Sequence, residues 1–226
     1  MSDPVLTSRT KALWKSADAV CFDVDSTVIT MEPLDQLAAF CGAGEEVAQF
    51  TLKAMGGGLA FRDALRVRLN IIKPSYEQIK KFQRQHAPEA ILTPGIKELI
   101  HALRARGTSV YLVSGGFRYF VAPVAQFLGL PNECVFCNEL QFNSDGTYLG
   151  FDESLPTSES GGKGKVISSL KNKHQTVVMV GDGITDLESC PPADSFIGFG
   201  GNVVRQKVKE LAPWYVYSFQ ELKDEL

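Results

Sequence analysis

The chain lacks a strong charge of either sign, has few thiols and contains no long apolar run. Its formal net charge is −3 over 226 residues, so no global basic field gathers phosphate backbones, and nucleic acid is excluded as a main partner. Any anion site must be local. No segment approaches the roughly 20 apolar residues that span a bilayer. The opening stretch, Met1 to Val20, holds no continuous apolar run of leader length. The expected location is therefore cytoplasmic, with no membrane partner. The sequence stops on Lys223-Asp224-Glu225-Leu226, letters that a lumenal retrieval receptor reads only in chains already inside the secretory pathway. Without an entry signal they are expected to be incidental, the polar end of a helix.

The five cysteines (Cys21, Cys41, Cys134, Cys137, Cys190) are odd in number, and Cys21 and Cys41 lie inside apolar patterns. Reduced, buried thiols are expected. Cys134-Val-Phe-Cys137 has the spacing of half a zinc site or of a redox pair, but no second pair exists and none of the three histidines is nearby, so a core strand is the expectation there. Internal repeats and low-complexity tracts are absent. With 44% hydrophobic and 22% charged residues, the chain can bury a full core, as one large domain or a domain carrying an insertion.

Ala19-Val20-Cys21-Phe22 is a short apolar run ending at Asp23, and Val110 to Val113 and Val177 to Val180 repeat that design. Such runs are strands buried on both faces of a parallel sheet. Helical patterns alternate with them: Ile96, Leu99, Ile100 and Leu103 behind Pro94 and before Gly107, then Val121, Val124, Ala125 and Leu128 before Gly129. The fold class is α/β, a doubly wound parallel sheet of Rossmann-like type. Residues 32–91 differ, with several helical patterns separated by Gly and Pro and no convincing strand. They read as an inserted helical cap, leaving 1–31 and 92–226 as the core. Phe142 to Tyr148 alternates around Asn143-Ser144-Asp145-Gly146, a small β-hairpin.

Asp23-Val24-Asp25-Ser26-Thr27 follows the first strand directly, and a two-residue period puts both carboxylates on one side of the chain. Ligands of open α/β sheets bind at that edge. Two acids so close repel, which separates their roles into nucleophile and proton donor unless a cation neutralises them; a capping Asp followed by a solvated turn is the alternative. Ser114-Gly115-Gly116 ends the second strand, where a hydroxyl and Cβ-free backbone amides can cradle phosphate or simply turn the chain. Gly181-Asp182-Gly183-Ile184-Thr185-Asp186 ends the third with two more acids, the oxygen ligands that a hard cation takes. Ser160-Gly161-Gly162-Lys163-Gly164-Lys165 supplies positive charge. It is not a Walker A loop, because Glu159 and Val166 stand where that loop requires Gly and Ser or Thr.

In this order and strand context, DVDST at 23–27, SGG at 114–116, Lys163 and GDGITD at 181–186 resemble the signatures of the haloacid dehalogenase superfamily of phosphatases. The resemblance implies Asp23 as nucleophile and Asp25 as general acid and then base. It further implies Mg²⁺ held by Asp23, the backbone carbonyl of Asp25, and Asp182, with phosphoryl oxygens on Ser114, Gly115, Gly116, Lys163 and Thr185. Many members carry Asn where this chain has Thr185, and others have Thr, whose hydroxyl still bonds phosphate or a metal-bound water. Asp186 is expected to orient Lys163 or such a water.

The cap resembles that of the members acting on O-phosphoserine. This implies a small-molecule substrate whose ammonium meets Glu32, whose carboxylate meets Arg68, and which is lined by Met55, Gly56 and Phe61; a homodimer is in keeping with the resemblance. Read without it, Phe61, Ala64, Leu65, Leu69 and Ile72 form an apolar stripe that contains Arg68. A guanidinium there needs an anion, either a ligand or a cap carboxylate. Glu32, next to Pro33, also suits a helix dipole. Two rival functions stand beside hydrolysis of O-phosphoserine. One is a phosphatase for a sugar, nucleotide or pyridoxal phosphate, and the other is a non-enzymatic module whose Asp accepts phosphate from a partner. Asp25, a proton donor two residues from the acceptor, favours turnover.

Overall fold

The computed structural model describes residues 3–55 and 59–226. Six parallel strands form one sheet in the order β3-β2-β1-β6-β7-β8: β1 (Ala19–Phe22), β2 (Ser109–Phe117), β3 (Val135–Asn138), β6 (Val177–Gly181), β7 (Ser195–Phe199) and β8 (Trp214–Val216). A separate antiparallel pair joins β4 (Leu140–Phe142) to β5 (Tyr148–Phe151), the expected hairpin, with Gly146 in the left-handed region at φ 82°. The order reverses beside β1, which pairs with β2 on one side and β6 on the other. That reversal opens a crevice at the carboxyl ends of β1 and β6. It is where the acidic motifs fall.

Every side chain of β1, β6 and β7 is buried, which is why those runs are apolar at every position rather than alternating. One face is covered by α1 (Pro4–Lys15), α7 (Ile96–Ala105), α8 (Arg118–Phe127) and α12 (Phe219–Asp224), the other by α9 (Gly162–Leu170) and α11 (Gln206–Leu211), with the short α10 (Ile184–Leu187) following β6. Phe22, Phe199 and Phe219 are fully buried and stacked or edge-on. Burying each such ring contributes about 1.5–3 kcal/mol.

Between β1 and β2 come α2 (Pro33–Phe40), α3 (Gly44–Met55), α4 (Phe61–Ile72), α5 (Tyr76–Gln85) and α6 (Pro88–Ile91). Among the described residues of this stretch there is no strand. Ser75 and Gln78 start α5 with reciprocal capping bonds. Leu37, Leu65, Leu69, Ile79 and Phe82 form a core of their own that also takes in Phe117 at the end of β2, Phe120 of α8, and Leu140 and Phe151 of the hairpin. These helices are thus seated on the strand end that carries Ser114 to Gly116. The chain enters and leaves side by side, with Thr30 N donating to Ile91 O at 2.8 Å.

Three features differ from the sequence expectations. Ser114-Gly115-Gly116 is not a turn, since β2 continues through it to Phe117. Cys41 is only half-buried, at the end of α2. β7 and β8, which complete the sheet, follow the acidic motif that ends β6. Cys137 is buried in β3 and Cys134 precedes it, and all five thiols are free. Glu225 of the terminal tetrapeptide holds Lys11 and Lys15. No helix among the described residues is long and apolar enough to cross a membrane.

Candidate active site

Asp23 leaves β1 in extended geometry, and its amide still donates to Val180 O at 2.9 Å. The strand then coils into a wide turn over Val24–Val28, closed by Ile29 N on Val24 O at 3.0 Å. Ser26 sits at φ 55°, in the left-handed region, which costs an L-residue about 1–2 kcal/mol. Its hydroxyl donates to Glu32 Oε1 at 2.8 Å and its amide to Met31 O at 3.1 Å, so the strain is held by what the turn reaches.

Three strand ends converge on Asp23. From α9, Lys163 places its ammonium 2.7 Å from Asp23 Oδ1 and 2.6 Å from Asp186 Oδ1. Gly162 precedes it because any Cβ there would lie 1.8 Å from Pro156 O. Asp186 uses its other oxygen on the Gly183 amide at 2.9 Å. Asp182 accepts from Thr27 Oγ1 at 2.9 Å and from Arg205 Nε at 2.7 Å. Ser114 is fully buried and accepts from the Gly116 amide at 2.8 Å. A Cβ on Gly116 would come within 3.0 Å of Asp25 Oδ2, and one on Gly115 within 3.0 Å of the Phe61 ring. Those two glycines let the loop approach both the general-acid candidate and α4.

Five carboxyl groups, Asp23, Asp25, Glu32, Asp182 and Asp186, thus share two cations, Lys163 and Arg205. Burial, reinforced by Asp186, pushes Asp23 up to about 7 against the pull of Lys163. Burial and then Asp23 raise Asp25 well above the usual carboxylate range. Glu32, Asp182 and Asp186 are raised too, each chiefly by burial. Burial alone would depress Lys163, but Asp186 and Asp23 outweigh it and raise it. Such a cluster wants a further cation. Ligand oxygens of Asp23, Asp182 and Asp186 lie within 4.8 Å of one another, and Asp25 Oδ1 is buried with no hydrogen-bond partner. An all-oxygen donor set fits a hard divalent ion. Both oxygens of Asp186 are engaged, by Lys163 and Gly183, and so are both of Asp182, by Thr27 and Arg205, whereas the Val24 amide and Lys163 meet Asp23 at Oδ1 alone.

The remaining sequence candidates divide. Phe61 begins α4 against Gly115, its amide on Ser160 Oγ at 3.3 Å, and Arg62 reaches Ser158 Oγ at 3.0 Å. Arg68 lies two turns along α4. It pairs with Asp35 of α2 while its Nε is buried without a partner. Glu32 makes no capping bond to α2; its carboxylate turns instead to Ser26 and to Arg205, 3.0 Å away. Thr185 is exposed, and its side chain makes no hydrogen bond among the described residues. Gly56 and the side chain of Met55 lie outside the described residues.

Sequence reasoning missed Arg205 and Asn202. Asn202 Nδ2 lies 2.7 Å from Thr93 Oγ1 and 3.1 Å from Ser26 O, tying the loop after β7 to the turn after Asp23. The signal was available, because Phe196 to Phe199 is a fourth apolar run ending in Gly200-Gly201-Asn202.

Comparison with known proteins agrees with this geometry. A model of haloacid dehalogenase-like hydrolases matches residues 20–189. The phosphoserine phosphatase of Rattus norvegicus is 54% identical over 221 residues, covering 97% of each chain. The chloroplastic phosphoserine phosphatase of Arabidopsis thaliana is 47% identical over 95% of this chain and 73% of its own. A solved structure described as a phospho-aspartyl intermediate analogue of phosphoserine phosphatase superposes with a TM-score of 0.76 at 30% identity, covering 92% of this chain and 98% of that one. With Asp23, Ser114, Lys163 and Asp182 brought to one crevice and the family model spanning it, the chain belongs to the haloacid dehalogenase-like hydrolases.

Proposed function

We propose that the chain is a phosphoserine phosphatase, which hydrolyses O-phosphoserine to serine and phosphate through an aspartyl-phosphate on Asp23. The observation that carries the chemistry is Asp23 itself, buried at the end of β1 with Lys163 on one oxygen and Asp25 beside it. The 54% identity to a phosphoserine phosphatase over nearly the whole of both chains supports the substrate. Formation of serine places the reaction at the end of a serine-making route.

In this reading Asp23 attacks phosphorus while Lys163, Ser114 and the amides of Gly115 and Gly116 hold the phosphoryl oxygens. Burial keeps Asp25 protonated, so it can give its proton to the leaving serine oxygen and then take one from the attacking water. Mg²⁺, held by Asp23, Asp182 and the backbone carbonyl of Asp25, would neutralise charge on the carboxylates and on the phosphoryl group. Residues 32–91 act as the cap, excluding bulk water. Glu32 and Arg68 there recognise the ammonium and carboxylate of the substrate. A homodimer and a cytoplasmic location complete the proposal.

Purified protein should release phosphate from O-phospho-L-serine with Mg²⁺, stop in EDTA, and favour that substrate over phosphothreonine and a sugar phosphate. Release that is indifferent to substrate would remove the cap assignment. Changing Arg68 to Ala should weaken phosphoserine hydrolysis about 100-fold while sparing an aryl phosphate, since a charge-assisted contact to a carboxylate is worth about 1.5–3 kcal/mol. Equal losses on both substrates would contradict a carboxylate clamp.

The pH dependence has a definite sign. All five acids hold protons more tightly folded than unfolded. Their stabilising contribution is present below the ordinary carboxylate range and is lost as pH rises through each raised folded pKa, which for Asp23 is about 7. A cation that competes with those protons stabilises most where they are absent. The rise in Tm on replacing EDTA with Mg²⁺ should be larger at about pH 8 than at about pH 5. An equal rise at both would show that these acids do not bind the ion.

A further inference from the structure

Beside Arg118, two residues past the phosphate loop, lies a trough of about 910 Å³ between α7, α8, the start of β4 and the tip of α5. That volume is in the range of small-molecule sites. Its walls mix apolar and polar groups, with Tyr119, Pro123 and Leu130 among the apolar ones, and two guanidinium groups, Arg104 and Arg118, stand in it. Arg104 gives one N–H to Gly129 O at 2.9 Å and has no carboxylate partner among the described residues. Arg118 pairs with Glu139, the single carboxylate of the lining, at 2.8 Å. In a chain of net charge −3, two guanidiniums against one carboxylate make this lining locally cationic, and with Tyr119, Pro123 and Leu130 beside them it is complementary to an anion on a flat apolar body.

Its position connects it to the reaction centre from two directions. Arg118 stands two residues after Gly116. Glu139 follows Asn138, whose side-chain Nδ2 donates to Gly115 O at 2.8 Å. The Arg118–Glu139 pair therefore closes a ring that braces the phosphate loop. The trough also reaches the cap. Pro123 inside α8 has no N–H, which leaves the Tyr119 carbonyl without its helical donor, and Gln83 of α5 donates to that carbonyl instead. Nothing in the proposed mechanism uses these groups.

We propose that the trough is a second ligand site, for a small organic carboxylate with a flat apolar or aromatic body, and that its occupancy alters phosphatase activity. The carboxylate bridges Arg104 and Arg118, competing with Glu139. Loss of that brace, together with contact at the Gln83–Tyr119 latch, changes how the phosphate loop and cap meet the substrate. The effect on activity rests on the phosphatase reading, but binding does not, so the two are measured separately.

The probe is 2-naphthoate, titrated into the full chain and followed by amide chemical shifts, with the reaction centre occupied by Mg²⁺ and inorganic phosphate. Saturable shifts are expected at Arg118, Ala122 and Gly129, spreading to Gly115 and Gln83. Arg104→Glu should weaken binding at least about tenfold while leaving turnover without the probe unchanged. In the unsubstituted chain, saturating naphthoate should change KM for phosphoserine by about twofold or more, and in Arg104→Glu it should not. The site is overturned by the absence of saturable shifts, by shifts that phosphate displaces, or by equal affinity in Arg104→Glu. Shifts at the same amides that depend on protein concentration alone would make the trough a contact between copies instead. Binding without any change in KM would overturn the coupling.

Discussion

Asp23→Asn is expected to lower phosphoserine turnover by ~10⁴-fold or more and to abolish phosphoenzyme formation, with the fold intact. The amide keeps the shape of the carboxylate and an oxygen for the Val24 amide, now 2.7 Å away, so β1 and its turn are retained. What is lost is the charge that attacks phosphorus. Because burial already pushes this carboxyl up to about 7, removing it relieves crowding among acids. The metal-free variant should therefore melt no lower than the parent at about pH 8. Thermal melts and phosphate release check both halves. Turnover within about tenfold of the parent would remove the covalent mechanism.

Lys163→Met should be damaging in a different way. The ammonium bridges two buried carboxylates, those of Asp23 and Asp186, and taking one partner from a buried ion pair costs about 3–5 kcal/mol. Activity should fall by ~10³-fold or more, because phosphoryl charge loses a fixed counter-charge in a site that excludes water. Adding Asp186→Asn to the same chain should return most of the stability and none of the activity, which separates charge balance from catalysis. Denaturant unfolding and steady-state kinetics read the two effects. Unchanged kcat and KM in Lys163→Met would exclude contact between this lysine and the phosphoryl group.

Much of this site was legible in the sequence because its strands are buried on both faces. A run such as Ala19 to Phe22 has no alternation to hide in, and the residue after it must lie at the sheet edge, so Asp23, Ser114 and Asp182 could be placed together without coordinates. Arg205 and Asn202 were not found, although Gly200-Gly201 follows an apolar run of the same kind, because neither side chain is defined by its neighbours in sequence. Arg205 meets Glu32 and Asp182 across 173 and 23 residues. A two-residue period was also too simple for the stretch after Asp23, where the left-handed Ser26 curls the chain toward Glu32. Arg68 was expected to need an anion, and it has one in Asp35. Its Nε is nevertheless buried with no hydrogen-bond partner among the described residues.

The central claim is that the phosphoryl group passes through Asp23, and acid quenching during turnover tests it most directly. Protein mixed with radiolabelled O-phospho-L-serine and Mg²⁺, stopped in acid within the first turnover and digested, should carry hydroxylamine-labile label on the peptide that contains Asp23. Label on any other residue, or none while phosphate is still released, would contradict it.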